Sequence, residues 1–469
     1  MQWFLPTKAL GQWDDRSQSS LNPTDSQSRL GWTVILTFVL LVAALLAVHA
    51  GGLLRYGFPA LSTLVGVVLF QRCPTMYVGF AWWIWFLTPF VRRLSDWQAG
   101  YQEPSPILLA PFLVTLLTGL TLVKKLPTIH REGGLPLILV FAGIAYTLLV
   151  GLVSRSARVV AIPFLTWVTP VLFAFYLFCK WREYPTYSQL LRRIFLWMVL
   201  ITGAYGVYQY MFVPEWDGSW LTNSGLTSSG GKPEPYSIRV FSTMNSAAPF
   251  AVVTMSGLFL LFSSRSPLQF PATAVGYLSF LLTLVRAAWF GWGAGFAVLA
   301  TSLKPKLQMR LFLISVAMVV CITPLLLLEP FNEAITSRFD TFSDLDNDVS
   351  YQGRSGIYES NLNVALSSSI GQGFGGTWEH VDSGVIDTMI QLGWIGALFY
   401  FGGMFLLLLK LFQSREGSSD TFMSAAKGIC LGILSLLLFG SYTQGLSGVV
   451  FWVFLAMGVA GQKYYAYNR

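Results

Sequence analysis

Charge is what this sequence has least of: Asp, Glu, Lys and Arg make up 11% of its 469 residues, under half of what a soluble globular chain carries. With 54% hydrophobic residues and a mean hydropathy of +0.58, that excludes an ordinary soluble domain and leaves a polytopic membrane protein. Histidine is scarce as well. His49 ends an apolar run and His130 sits in a basic connector, each without a neighbouring ligand residue, so a histidine metal centre finds no support. The four cysteines, Cys73, Cys179, Cys321 and Cys430, lie in or beside apolar runs and form no C-x-x-C pair. They therefore make neither a disulfide framework nor a zinc site. The first 29 residues lack the short apolar core of a cleavable signal peptide and read as a polar cytosolic tail. The net charge of +8 does not point to nucleic acid, because Lys and Arg gather in short clusters between apolar runs, as topology signals do.

What is present is apolar run after apolar run. They lie near 30–49, onward to 68, 77–91, 107–123, 135–153, 159–178 and 190–213, then 246–262, 270–285, 288–303, 311–328, 385–412, 426–442 and 449–462. These predict an all-α polytopic protein of about 14 transmembrane helices. The domain plan is a tail (1–29), helices (30–328) interrupted by an external loop (214–239), a long external loop (329–383), and helices with a short cytosolic tail (384–469). With both termini inside, about 20 Lys and Arg fall inside and about 10 outside, as the positive-inside rule expects. No internal repeat and no separate soluble domain is visible. Aromatic stretches such as A-W-W-I-W-F at 81–86 suit interfacial anchoring or a lipid groove.

The interval 329–383 is the one polar island. Its acidic run D-T-F-S-D-L-D-N-D lacks the glycine and terminal glutamate of a calcium loop and reads as a solvated face. Three arginines share the external side: Arg239 in R-V-F-S-T-M-N-S, Arg286 in T-L-V-R-A-A-W, and Arg354 in Q-G-R-S-G-I-Y. An arginine at a membrane boundary is costly unless paired or solvated, so each is a functional candidate. Its fork suits phosphate or pyrophosphate. Simpler readings stand beside this one: Arg286 as an interfacial side chain lying along apolar neighbours, Arg239 as a span boundary, and Arg354 as a solvated arginine paired with an acidic residue.

From about 239 to 396 the sequence resembles the O-antigen ligase and Wzy-type O-antigen polymerase superfamily of bacterial polysaccharide enzymes. The residues that carry the resemblance are Arg239 with Asn245, T-L-V-R ending at Arg286, R-S-G-I-Y from Arg354 to Tyr358, G-Q-G-F-G-G at 371–376, and D-S ahead of L-G-W-I-G. Asp382 and Ser383 stand where ligases have histidine followed by asparagine, and His380 lies two residues earlier. That departure favours a polymerase, or a related glycosyltransferase using a carboxylate.

The resemblance implies a GT-C-like membrane architecture in the bacterial inner membrane, with an active site on the periplasmic face. The implied reaction is inverting transfer of a glycan from an undecaprenyl-pyrophosphate donor to an acceptor hydroxyl. Arg239 and Arg286 would neutralise the leaving pyrophosphate. Asp382, or secondarily His380, would take the acceptor proton. Arg354 would hold the donor phosphate or orient the loop, Asn245 and Tyr358 are secondary candidates, and Trp378 would stack on sugar. With arginines supplying the charge, no metal and no cofactor is expected. The implied partners are the lipid-linked donor, the glycan acceptor, membrane lipid, a chain-length regulator and a flippase. Two rivals remain open at this point: a ligase, and a secondary transporter of an anionic solute.

Overall fold

The computed structural model describes residues 25–129, 132–264, 266–303, 305–326, 331, 359–376, 383–413 and 420–468. In chain order its helices are α1 (Asp25–Ala47), α2 (Gly51–Arg72), α3 (Pro74–Ala99), α4 (Ala110–Leu116), α5 (Gly119–Lys125), α6 (Leu135–Ser154), α7 (Ala157–Cys179), α8 (Tyr184–Phe212) and α9 (Glu215–Asn223). Then follow α10 (Thr227–Gly230), α11 (Ala247–Leu261), α12 (Gln269–Leu282), α13 (Arg286–Ser302), α14 (Pro305–Leu326), α15 (Gly384–Gln413), α16 (Thr421–Leu436) and α17 (Gly445–Tyr467). Residues 359–367 are also helical. Among the described residues the sole β pairing is an isolated antiparallel bridge, Gly231 to Ile238.

Among the described residues each apolar stretch read from the sequence is largely helical, because a chain in hydrocarbon must pair its backbone polar groups internally. Among the described residues, eight helical units are long and apolar enough to cross a membrane, and the chain is a membrane-embedded helical protein. The remaining stretches form shorter helices, α11, α12, α13 and α16, of 15, 14, 17 and 16 residues. They also form α14, and α3 with Arg92, Arg93 and Asp96 in its last turns. Two boundaries differ from expectation. Helix α1 begins at Asp25, ahead of the expected span start at 30. The interval 214–239 is not a plain loop: α9 buries Asp217, Trp220 and Leu221, which tie this segment into the main core beside α3.

Helix α17 is the hub. Of its apolar window 89% is buried, against 17% for α1, and it packs chiefly on α7 and α16. Lipid tails are as apolar as leucine, so helices in a membrane associate through close approach of small residues rather than hydrophobic burial. The α13–α16 pair illustrates this, with Gly291 and Gly295 facing Gly432 and Gly428. A Cβ at Gly295 would lie 2.5 Å from the Gly428 carbonyl oxygen, and one at Gly432 would lie 2.8 Å from that of Gly291. Gly295→Ala is therefore expected to destabilise the protein by about 1–3 kcal/mol. Gly293→Ala, on the same helix with nothing within 4 Å, is expected to leave thermal stability in detergent unchanged or slightly raised. Equal melting temperatures for the two variants would refute this packing.

Candidate functional site

The segment carrying R-V-F-S-T-M-N runs between the β-bridge and α11, and it is held by both backbone and side-chain hydrogen bonds. Arg239 donates three hydrogen bonds to carbonyls: Nε to Thr283 (3.1 Å), Nη2 to Leu284 (3.1 Å) and Nη1 to Ser229 (3.0 Å). The Val240 N–H donates to Leu282 at 3.0 Å. The last carbonyls of a helix have no partner within it and attract cationic donors. Arg239 thus closes the end of α12 and braces the turn 283–285, in which Leu284 takes a left-handed φ of 54°. Arg286 is the first residue of α13, directly after that turn, and is half-buried. The first two sequence motifs, far apart in the chain, are therefore one structural unit.

Beneath this unit lies a buried charge network that sequence reasoning missed. Arg93, fully buried near the end of α3, pairs with fully buried Asp217 at 2.7 Å. It also donates to the carbonyls of Ser242 and Met244, and its guanidinium lies 4.9 Å from the centroid of the Phe241 ring. The second oxygen of Asp217 accepts from Tyr205 Oη (2.7 Å) and Gln209 Nε2 (2.6 Å). Gln209 Oε1 in turn accepts from the N–H groups of Phe241 (3.0 Å) and Ser242 (2.8 Å). Within the same segment Thr243 Oγ1 and Asn245 Oδ1 are buried with no hydrogen-bond partner among the described residues. Unmatched buried polar atoms are uncommon and mark places where a ligand or water completes the set.

The glycine motif explains itself through α15. Gly393, with φ 62° and ψ 179°, interrupts that helix. The interruption frees carbonyls on one side and N–H groups on the other. Gln372 and Gly373 donate to the carbonyls of Ile390 and Gln391 (both 2.9 Å), while Trp394 and Ile395 donate to those of Ser368 and Ser369 (3.3 and 3.4 Å). The loop at 368–373 thus substitutes for the missing helical turn. Gly371, Gly373 and Gly375 all take positive φ, and Phe374 is buried against Trp167 and Phe164.

Before the break, α15 buries Asp387. Its carboxylate accepts from Gln391 Nε2 (2.9 Å), Gln444 Nε2 (3.3 Å) and Ser441 Oγ. The N–H of Gly384 donates to Leu437 at 2.8 Å, fixing the start of α15 to the end of α16. The antiparallel contacts of Gly291 with Gly432 and Gly295 with Gly428, continued by the ring contact of Phe290 with Phe439 at 6.5 Å, put Arg286 level with Leu437. Arg286 and the first residues of α15 therefore share one end of the bundle. Of the other sequence candidates, Asp382, His380, Arg354, Tyr358 and Trp378 lie outside the described residues. Ser383, the neighbour of Asp382, is buried, and its carbonyl accepts from the N–H of Asp387.

No family model, no curated protein and no solved structure matches this chain. The site is accordingly read from its own geometry. It combines a rigid cationic turn, unmatched buried oxygens at Thr243 and Asn245, and a helix start that carries a carboxylate. Arg93, Asp217, Gln209 and Asp387 joined it only through tertiary structure. The signal available beforehand was the Arg92–Arg93 pair at the end of an apolar run, since charge in such a run defaults to a functional role.

Proposed function

We propose that this protein is a membrane glycan polymerase. It transfers an undecaprenyl-pyrophosphate-linked oligosaccharide to a sugar hydroxyl at the outer face of the bacterial inner membrane. The observation that carries this reading is that the braced Arg239–Arg286 turn and the start of α15 lie at the same end of the bundle. In the proposed topology the chain crosses about 14 times in a GT-C-like arrangement with both termini cytoplasmic. The acceptor oxygen attacks the anomeric carbon of the donor and the bond from that carbon to the pyrophosphate oxygen breaks. The electron pair leaves with the lipid pyrophosphate, and the acceptor proton passes to a carboxylate. Attack opposite the leaving group inverts the anomeric centre.

In this scheme Arg286 meets the charge that develops on the leaving oxygen. Arg239 is a positioning residue, because its guanidinium holds the turn that presents Arg286. Asp382 is the base, one residue ahead of the anchored Ser383, and Asp387 orients the surrounding polar groups. The transporter reading draws on the interrupted helix α15, a device that transporters use to line a substrate cavity. Here the freed backbone groups are satisfied by residues 368–373 instead, which favours the enzyme. The ligase reading differs in its acceptor, and the Asp at 382 speaks for the polymerase.

Purified protein in vesicles, given a lipid-pyrophosphate-linked oligosaccharide, is expected to produce a ladder of longer chains. Movement of an anion without any such ladder would end the enzyme reading. Arg286→Ala is expected to lower transfer by about 10²–10³-fold, the effect of removing one preorganised donor, with a smaller change in melting temperature than Arg239→Ala. Arg239→Ala is expected to lower the melting temperature along with activity. The reverse pattern would exchange the two assigned roles.

A further inference from the structure

A second site lies at the opposite end of the bundle. A cavity of about 380 Å³ opens beside the first three turns of α8, the ends of α11 and α13, and the starts of α14 and α16. One wall is polar, with Arg192 and Asp420, and the other is apolar, with Phe259, Leu303 and Leu311. On the far side of Leu311 a second cleft of about 380 Å³, between α13 and α14, is almost wholly apolar.

The polar wall is lopsided. Asp420 accepts from Tyr184 Oη (2.6 Å), Tyr465 Oη (3.1 Å), Arg192 Nη2 (3.1 Å) and the Phe422 N–H (2.8 Å). A carboxylate has about four acceptor sites, so Asp420 has none left. Arg192 spends Nη2 on Asp420 and Thr421 Oγ1 (3.1 and 3.2 Å), while its Nη1 donates to no described residue and 27% of the side chain is exposed. The group that completes this wall must therefore bring an acceptor oxygen. An anionic acceptor is preferred, because the exposed side chains of Arg193 and Lys306 add positive charge at this end. The apolar wall and the adjoining cleft call for hydrocarbon on the same molecule.

We infer that this cavity binds the headgroup phosphate of an anionic glycerophospholipid through Arg192, with an acyl chain lying along Leu303 and Leu311. The site is independent of the transfer reaction proposed above, and its test measures lipid retention rather than activity. Full-length protein in detergent is incubated with phosphatidylglycerol or with phosphatidylcholine of the same acyl chains, then examined by native mass spectrometry. The wild type is expected to retain phosphatidylglycerol about tenfold better, the scale of one charge-assisted contact. Arg192→Gln is expected to bring the two lipids within twofold of each other. Leu311→Trp, which fills the apolar wall and leaves the Arg192–Asp420 pair intact, is expected to lose both.

Equal retention of the two lipids by the wild type would overturn the proposal. So would full retention of phosphatidylglycerol by Leu311→Trp, the variant that decides the matter if Arg192→Gln fails to fold. Inorganic phosphate is the remaining control. If it raised the melting temperature as much as phosphatidylglycerol does, the site would belong to free phosphate and the lipid assignment would fall.

Discussion

Arg93→Ala is expected to destabilise the protein by about 3–5 kcal/mol, the usual cost of breaking one side of a buried ion pair. The reason is what remains after truncation. Asp217 is fully buried, and Arg93 is its cationic partner in the ion pair. Without it the carboxylate is left with Tyr205 and Gln209 as neutral donors. The carbonyls of Ser242 and Met244 lose their donor at the same time, and each buried group left unmatched adds about 1–3 kcal/mol. The double variant Arg93→Met, Asp217→Leu removes both charges. It is expected to recover the part of the loss that comes from the uncompensated charge, while the carbonyls of Ser242 and Met244 and the Tyr205 and Gln209 donors stay unmatched. Its activity should stay low, because the 239–246 segment loses its brace even when the charge problem is solved. Melting temperature and chain-elongation rate, measured on both variants, separate the two effects. A melting temperature for Arg93→Ala within about one degree of the wild type would contradict a loss of several kcal/mol and show that the network does not support the fold.

The second large effect is expected at the break in α15. A Cβ at Gly393 would lie 2.3 Å from the Gly371 nitrogen, and one at Gly371 would lie 2.3 Å from the Gly393 nitrogen. Both residues also take positive φ, 62° and 85°, which costs a side-chain-bearing residue roughly 1–2 kcal/mol before any clash. Gly393→Ala therefore has no local escape, since the atoms it meets are backbone. The 368–373 loop must lift, and the carbonyls of Ile390 and Gln391 then lose the N–H groups that replaced the helical ladder. In a water-poor environment those groups have no substitute partner. The expected outcome is a loss of about 3 kcal/mol or more, with cleavage within 368–376 by an added protease where the wild type resists. Gly402→Ala on the same helix, with nothing within 4 Å, is the control and is expected to behave as wild type. Equal protease resistance in the two variants would mean that the loop is not seated in the break.

These two networks also show where sequence reading stopped. The pairing of Arg239 with the T-L-V-R turn was within reach, because both motifs stood out as arginines at the edges of apolar runs. The pairing of Arg93 with Asp217 was not. One residue sits in a helix and the other in a segment that reads as a loop, and no spacing rule links them. The glycines of G-Q-G-F-G-G were visible as a small-residue step, but a run of glycines does not name the helix break that it fills. Asp387 was hidden for another reason: a lone carboxylate inside an apolar run carries no sign of the Gln391, Ser441 and Gln444 donors that make its burial tolerable.

By itself, the sequence determined that this is a helical membrane protein and where its helices lie. In hydrocarbon the backbone must satisfy its own hydrogen bonds, so a sufficiently long apolar run has little choice but to become a helix. Only the tertiary structure decided which helices meet, that α15 is interrupted at Gly393, and that Arg286 lies level with the start of α15. Contacts between helices in lipid depend on individual small residues and single hydrogen bonds rather than on hydrophobic burial. Those choices join residues hundreds of positions apart and leave no periodic trace in the chain.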